Sequence, residues 1–223
     1  GKYTFSGNST GTVENQGSIT TANGGTVALI AARIVNTGTI TAPQGTVGLA
    51  AGNTATLDLG GPVKIQVTEG ALNAEITQGG AILADGGQIF LTAKSAGNLT
   101  ASVINHTGIS RALSMAQLAG LSTDTAGATA TTTSTTTPAT TINNVLTGAI
   151  NLVADLISQQ GTLNASGTTT GTQGGNINLN AGLIIDSGTT VADGATDGGS
   201  ISMQANEILQ ASAAEVSASG QEG

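Results

Sequence analysis

The sequence contains no cysteine and no tryptophan, and it has one tyrosine and two phenylalanines among 223 residues. The absence of cysteine excludes disulfide bonds and thiol chemistry. Large aromatic side chains normally fill the irregular space of a globular core. An interior made of Val, Ile, Leu and Ala alone therefore predicts a uniform core of small cross-section, as in a stacked solenoid.

Charged residues are also scarce, at 8% of the chain, with 5 Lys and Arg against 13 Asp and Glu. The formal net charge of -8 argues against nucleic acid as a partner, because binding to phosphates needs clustered positive charge. No apolar run approaches the roughly 18 residues of a membrane helix. The chain begins at Gly1 without a signal peptide, and we expect it to be a piece of a longer protein.

Glycine is abundant, with 34 residues, and it punctuates a repeat. The motif Asn15-x-Gly-x-Ile returns at Asn36, and Gly25-Thr-Val-x-Leu returns at Gly45. The segment 78–93 then repeats the second copy at an offset of 42 without a gap. Short alternating runs between glycine turns are typical of strands, and a fixed period of this length is typical of a solenoid.

The alternation predicts which side chains face the core. We expect Ile19, Val27, Leu29 and Val47 to point inward. The segment 53–76 roughly keeps the repeat length and is predicted to be a further rung. Lys2 to Ser6 is predicted to be a strand whose aromatic residues cover the first rung, and residues 99–104 are predicted to be another strand.

The repeat is interrupted once and then resumes with a longer period. Residues 112–121 have the spacing of two helical turns, and 122–141 is a Thr- and Ala-rich stretch that predicts an excursion loop. Gly148-Ala-Ile recurs at Gly175 and Gly199, at separations of 27 and 24. We therefore predict rungs of period 20–21 over residues 1–110, an insertion over 111–141, and rungs of period 24–27 over 142–223.

These patterns together predict an all-β chain folded as a right-handed parallel β-helix. About nine rungs of 20–27 residues, spaced by roughly 4.8 Å, give a rod on the order of 45 Å long. In such a fold each strand pairs with the rungs before and after it.

The amino-acid sequence of the repeats resembles that of the filamentous haemagglutinin family. The resemblance rests on GKYTFSG, on NQGSITTANGGTVALIAARIVNTGTITAPQGTVGLAAG and on EGALNAEITQGGAILADGGQIFLTAKSA, with looser matches in LNASG and GGNINLNAG. It covers residues 1–108 closely and 146–220 loosely. It implies a two-partner secretion exoprotein of a Gram-negative bacterium, with a right-handed parallel β-helix fold.

The resemblance also implies partners and a location. A protein of this kind is exported through a dedicated outer-membrane transporter and is secreted to the cell surface. We expect a structural or adhesive shaft segment that binds a receptor on a host or neighbouring cell. The alternative is a self-assembling extracellular fibre subunit whose copies associate end to end.

An enzyme is the weaker hypothesis, although parallel β-helices also carry polysaccharide-active sites. Such sites need acids held close together on one face, or carboxylates on calcium with a nearby base. The acids here are scattered over different rungs, at Asp58, Asp85, Asp155, Asp186, Asp193 and Asp197. The bases are equally dispersed, at Lys2, Arg33, Lys64, Lys94 and Arg111. We predict no catalytic, cofactor-binding or metal site and no cofactor.

Four smaller features favour structural roles. His106 is predicted to be a solvent-facing turn residue rather than a zinc ligand. Asp193 and Asp197 resemble a calcium loop but fit ordinary turn chemistry better. The Thr37–Thr41 segment suggests an ice-matching row that does not continue into residues 80–84. The 122–141 loop is a candidate for glycosylation or receptor contact, with a flexible insertion as the simpler interpretation.

Asparagines at the turns form the last candidate. Asn15, Asn36 and Asn105 are predicted to belong to a ladder of stacked turn residues with a structural role.

Overall fold

The computed structural model describes residues 1–59, 64–97, 100–118 and 142–220. These residues form 25 β-strands, numbered β1 to β25 in chain order, and no helix. No described segment is therefore a helix that can cross a membrane. The all-β prediction is confirmed.

Most strands belong to three sheets of parallel strands, which we call sheets I, II and III. Sheet I contains β2 (Thr12–Asn15), β5 (Arg33–Asn36), β10 (Glu75–Gln78), β13 (Val103–His106), β18 (Leu156–Gln159), β21 (Leu183–Asp186) and β24 (Glu207–Gln210). Sheet II contains β3 (Ser18–Thr20), β6 (Thr39–Thr41), β11 (Ala81–Leu83), β14 (Ile109–Arg111), β19 (Thr162–Asn164), β22 (Thr189–Val191) and β25 (Glu215–Ser217). Sheet III contains β4 (Thr26–Ala31), β7 (Thr46–Ala51), β12 (Gln88–Ala93), β17 (Ala149–Val153), β20 (Asn176–Asn180) and β23 (Ser200–Gln204).

The chain visits the three sheets in a fixed order. β2, β3 and β4 follow one another, and the order I, II, III repeats from β5 onward. We call one passage of the chain through sheets I, II and III a pass. Each pass adds a strand to each sheet beside the strand of the previous pass. Within the described residues sheets I and II hold seven strands each, so the expected count of about nine rungs is not confirmed.

The pairing register follows the sequence repeats. Val47 pairs with Ile89, and Ile150 pairs with Ile177, as the repeated motifs of the sequence predict. The inward side chains of sheet III consequently form aliphatic columns. The first column is Val27, Val47, Ile89, Ile150, Ile177 and Ile201.

Burial confirms the predicted inward positions. Val47 is fully buried, Val27 is 7% exposed, and Ile19 and Leu29 pack against the same core while being partly buried. Because this core is shared by strands from every pass, one continuous hydrophobic interior runs along the stack.

A separate layer covers part of sheet III. It is the antiparallel sheet of β1 (Lys2–Ser6), β8 (Thr54–Asp58) and β9 (Lys64–Glu69), in the order β1-β8-β9, which we call the side sheet. Leu57 and Ile65 pack with Ala50 and Phe90 in a second, smaller core. A Cβ at Gly48 would lie 3.0 Å from the side chain of Ile65, so the layer fits closely over this glycine.

The side sheet corrects two predictions. Segment 53–76 is not a rung, because β8 and β9 pair with each other and the next pass begins only at β10. The offset of 42 is therefore one pass plus this insertion. Tyr3 and Phe5 do not cover the first rung, because β1 pairs with β8 and leaves these rings 55% and 47% exposed.

The second insertion is also a strand pair. β15 (Met115–Leu118) and β16 (Ile142–Leu146) pair antiparallel. The predicted helical turn over 112–121 is therefore wrong for residues 112–118, and the predicted 122–141 loop lies outside the described residues. β12 pairs directly with β17 across this insertion, so the strands before and after it share the same sheets.

The last predicted strand, over residues 99–104, forms only in part. β13 begins at Val103, and residues 98 and 99 lie outside the described part of the chain.

Candidate functional site

A column of polar side chains lines the inside of the stack where sheet I ends. Every strand of sheet I finishes on a polar residue, and strand pairing places these residues in register. The polar column consists of Asn15, Asn36, Gln78, His106, Gln159, Asp186 and Gln210. Five of the seven are fully buried, and Asn15 is 9% exposed. Buried polar groups of this kind need hydrogen-bond partners.

The first members of the column satisfy one another. Asn15 Nδ2 donates to Asn36 Oδ1 at 2.7 Å, and Asn36 Nδ2 donates to Gln78 Oε1 at 2.7 Å. Gln78 Nε2 donates to the carbonyl oxygens of Gly80 at 3.1 Å and Ile109 at 3.3 Å. The amides therefore join consecutive passes by side-chain hydrogen bonds in addition to the backbone ladder. The predicted ladder role of Asn15 and Asn36 fits this arrangement.

His106 occupies the fourth place in the column. Its side chain is fully buried in β13, and its Nε2 lies 2.9 Å from Ser110 Oγ. Burial lowers the pKa of His106 to about 4, because the charged ring would lose its hydration, and the nearby Gln159 amide offsets part of this effect. His106 Nδ1 and Gln159 Oε1 nonetheless reach no partner at hydrogen-bond geometry among the described residues.

The predictions for this turn are wrong by one residue, since they place His106 in solvent and Asn105 in the ladder. Because successive strand residues point to opposite faces, Asn105 faces outward, where its Nδ2 donates to Glu75 Oε1 at 3.1 Å. The spacing to glycine carries the right signal, since His106 precedes Gly108 by two positions as Asn15 precedes Gly17.

Asp186 is the acidic member of the column. Its carboxylate is fully buried and accepts hydrogen bonds from the backbone N–H of Gly188 at 3.3 Å and from Gln210 Nε2 at 3.1 Å. In the sequence this residue is one of the scattered acids. Because its partners are neutral donors, Asp186 has the structural role of an acid that stabilises a turn.

Glycine follows each buried column residue at the second position. A Cβ at Gly38 would lie 2.1 Å from the carbonyl oxygen of Gly17, and a Cβ at Gly80 would lie 2.0 Å from that of Gly38. Only glycine allows backbones of successive passes to approach this closely. The glycine position of the turn between sheets I and II therefore carries no side chain along most of the stack.

An open groove runs along this corner on the outside of the stack. It has a volume of about 610 Å³ and is lined by the turn residues of five successive passes, from Thr37 to Thr189. Its walls are glycine backbone, small hydroxyl residues, Gln160 and the side chain of Ile109, which is 48% exposed. None of the fifteen lining residues is charged. We call this feature the corner groove.

The threonine row that suggested ice matching is interrupted in the groove. The first positions of the sheet II strands align Thr39 with Ala81 and Ile109 before Thr162 and Thr189 follow. An unbroken array of hydroxyl groups is therefore missing from these described strands.

Apart from the buried Asp186, the described acids and bases lie in turns and on outer faces, and none of them lines the groove. Arg33 pairs with Glu75 at 2.7 Å, and Arg111 pairs with Asp85 at 2.7 Å. Within the described part of the chain no three His, Cys, Asp or Glu side chains come close enough to hold a metal ion. These charged side chains therefore have local structural roles.

Asp193 shows how the acids act in the turns. Its Oδ1 accepts hydrogen bonds from Ser217 Oγ at 2.6 Å, from the backbone N–H of Ser219 at 2.7 Å and from Ser219 Oγ at 3.0 Å. Burial alone would raise the pKa of Asp193, but these hydrogen bonds outweigh it, and the pKa lies below its ordinary value. Asp197 instead accepts from Gln173 Nε2 at 3.3 Å. The geometry is that of turn chemistry rather than of a calcium loop.

Asp155 forms a similar clamp at the corner between sheets III and I. Its Oδ2 accepts from the backbone N–H and the hydroxyl of Ser102 at 2.8 and 2.9 Å, and from Ser95 Oγ at 2.9 Å. Burial again favours a higher pKa, and the three hydrogen bonds together lower the pKa below its ordinary value. The hydrogen bonds of Asp155 and those of Asp193 both join neighbouring passes.

No protein-family model matches the chain, and no curated protein matches it.

Proposed function

We propose that this chain is a structural and adhesive shaft segment of a large secreted surface protein of a Gram-negative bacterium, folded as a right-handed parallel β-helix. The observation that carries the proposal is the corner groove, which extends over five passes and is lined by uncharged residues. A long neutral groove on a stiff stack suits binding to an extended ligand through many weak contacts.

Binding is favoured over catalysis by the placement of titratable groups. General acid–base chemistry needs a pair of groups within reach of one substrate. No residue that lines the groove is an acid or a base. The two acids with a lowered pKa, Asp155 and Asp193, lie in turns and accept hydrogen bonds from serine residues. The chemistry of the groove is hydrogen bonding by hydroxyl, amide and backbone groups.

The route to the surface is part of the same proposal. The family that the sequence resembles is exported by two-partner secretion, and an outer-membrane transporter is the first partner we propose. A chain that folds by adding one pass after another suits passage in extended form, because each pass stabilises itself on the one before. The second partner is a receptor on a host or neighbouring cell.

The test is surface binding by groove variants. Thr162→Arg with Thr189→Arg places two long cations on the outward face of sheet II within the groove. Asn151→Arg with Asn178→Arg places two cations on the outer face of sheet III and is the matched control. We expect the groove variant of the labelled protein to lose saturable binding to epithelial and bacterial cells, while the control binds like the wild type. Equal binding by both variants would refute the groove as the adhesive surface.

A fibre subunit is the second candidate, and one observation favours it. Ile208 and Val216 are 43% and 44% exposed on the last described strands, while their in-register neighbours Ile184 and Thr190 are fully buried. A second copy stacked on this end would bury them. Sedimentation over a range of concentrations distinguishes the candidates, since a monomer at every concentration excludes the fibre.

A further inference from the structure

The side sheet stops partway along the outer face of sheet III. β9 contacts β7 and β12, and the next strand of sheet III beyond β12 is β17. Among the described residues β9 pairs with β8 on one side and with no strand on the other. The outer surface of the protein therefore has a step between the free edge of β9 and the uncovered face of β17. We call this step the ledge.

A cavity of about 380 Å³ lies at the ledge. Its wall is β9, and its floor is formed by Thr92 of β12 and Val153 of β17. Val153 points outward and is 44% exposed, and no layer formed by the described residues covers this apolar floor residue. The volume lies within the range of pockets that hold peptides and small ligands.

The free edge offers backbone hydrogen-bonding groups toward this cavity. Lys94 Nζ donates to the carbonyl oxygen of Thr68 at 2.8 Å, so at least one backbone carbonyl of β9 is directed to the ledge side. Unpaired strand edges bind other extended chains unless they are protected, and a lysine at the edge is one common form of protection. Lys94 and Asp155 are the two charged residues that line the cavity. The Asp155 carboxylate accepts hydrogen bonds from Ser95 and Ser102, and Lys94 meets no carboxylate among the described residues at salt-bridge distance.

Shape limits what can pair with this edge. A second copy joined edge to edge, with its stack on the same side of the joined sheet, would bring that stack into the space that β17, β20 and β23 occupy. A single extended strand meets no such obstacle, because it is one strand wide and lies over β17. A single strand therefore fits the ledge in either direction, whereas a second copy fits only with its stack turned to the opposite face.

We propose that the ledge binds one extended strand of a partner polypeptide, which pairs with β9, places a β-branched side chain on Val153 and an Asp or Glu side chain opposite Lys94. Backbone pairing supplies the affinity, and the alternate side chains supply the selectivity, as in other cases of strand addition. The site is separate from the corner groove, and the proposal stands whether or not the groove is adhesive.

The experiment uses the full chain and a fluorescent, end-capped hexapeptide with the sequence Thr-Val-Thr-Val-Glu-Val. Anisotropy measures the affinity, and amide hydrogen exchange locates the peptide. We expect saturable binding and slower exchange in residues 64–69. A peptide with proline at the fourth position, which cannot complete the pairing, is expected not to bind. Absence of saturation at millimolar peptide, or protection confined to other strands, would overturn the proposal.

Two substitutions test the side-chain contacts. Val153→Asp should weaken peptide binding by about tenfold or more, roughly 1.4 kcal/mol per factor of ten, while Ile185→Asp, at a 38% exposed outward position of sheet I, should leave it unchanged. Lys94→Glu should weaken binding of the glutamate peptide and strengthen binding of the same peptide with lysine in place of glutamate. Equal affinities for Val153→Asp and Ile185→Asp, or no reversal of charge preference with Lys94→Glu, would show that the ledge is not the binding site.

Discussion

Asn36 donates its side-chain N–H to Gln78 Oε1 at 2.7 Å, although the two residues are far apart in the sequence, and it accepts a hydrogen bond from Asn15 at the same distance. Both bonds are buried and connect three consecutive strands of sheet I. A side chain shared by two neighbours fixes the register of the stack, because a slip by one residue would bury unpaired amides.

Asn36→Ala is expected to destabilise the protein by about 2–4 kcal/mol, because it leaves Asn15 Nδ2 and Gln78 Oε1 buried without a partner. Urea unfolding followed by circular dichroism measures the change. The control is Asn105→Ala at an outward position, for which we expect a loss of no more than about 1 kcal/mol. Equal losses for the two variants would contradict the role of the polar column.

The buried His106 makes stability depend on pH. Its pKa in the folded protein is about 4, below the ordinary value of 6.5, so the unfolded chain takes up the proton first as the pH falls. The free energy of unfolding is therefore unaffected by protonation of this histidine above about pH 6.5. Between pH 6.5 and pH 4 it falls by up to about 1.4 kcal/mol per pH unit, a total of roughly 3 kcal/mol.

Urea midpoints measured from pH 7 to pH 4 check this prediction, with His106→Gln as the control whose profile should be flatter over that range. The carboxyl groups of Asp155 and Asp193 have lowered pKa values, so their contribution is present above 3.8 and is lost only at lower pH. An identical pH profile for His106→Gln and the wild type would show that the histidine is not the group responsible.

Gly38→Ala is expected to destabilise the protein by about 1–3 kcal/mol or more, because the new Cβ would overlap the carbonyl oxygen of Gly17. Gly17 is the matched control. A Cβ at Gly17 meets nothing within 4 Å, so Gly17→Ala should be neutral or slightly stabilising. Thermal unfolding of both variants gives the comparison, and a tolerated Gly38→Ala would mean that the passes lie further apart than described.

Val47→Asp places a carboxylate at a fully buried position in the central column of sheet III. We expect a loss of more than about 4 kcal/mol, because the charge has no partner in the apolar column. Asn178→Asp, at an exposed outward position of the same sheet, should change stability by less than about 0.5 kcal/mol. Unchanged β circular dichroism and thermal midpoint for Val47→Asp would refute the inward assignment.

Much of the fold is readable in the sequence because each pass contacts the next with the same kinds of residue. The repeated motifs predicted the pairs Val47–Ile89 and Ile150–Ile177 that the sheets contain. The side sheet was not predicted, since β8 and β9 have alternating patterns like those of a rung, and only packing against Gly48 and Phe90 distinguishes a covering layer.

The sequence by itself determined the repeat, the inward aliphatic columns and the glycine turns, because these depend on the two-residue alternation of a strand and on contact between successive passes. The spacing to glycine also marks the buried polar residue of each turn, which is His106 rather than Asn105. The tertiary structure decided which partners that residue meets. It also decided where the side sheet ends and where the corner groove and the ledge lie. Those features depend on how segments distant in the sequence pack together, and local sequence patterns do not determine that packing.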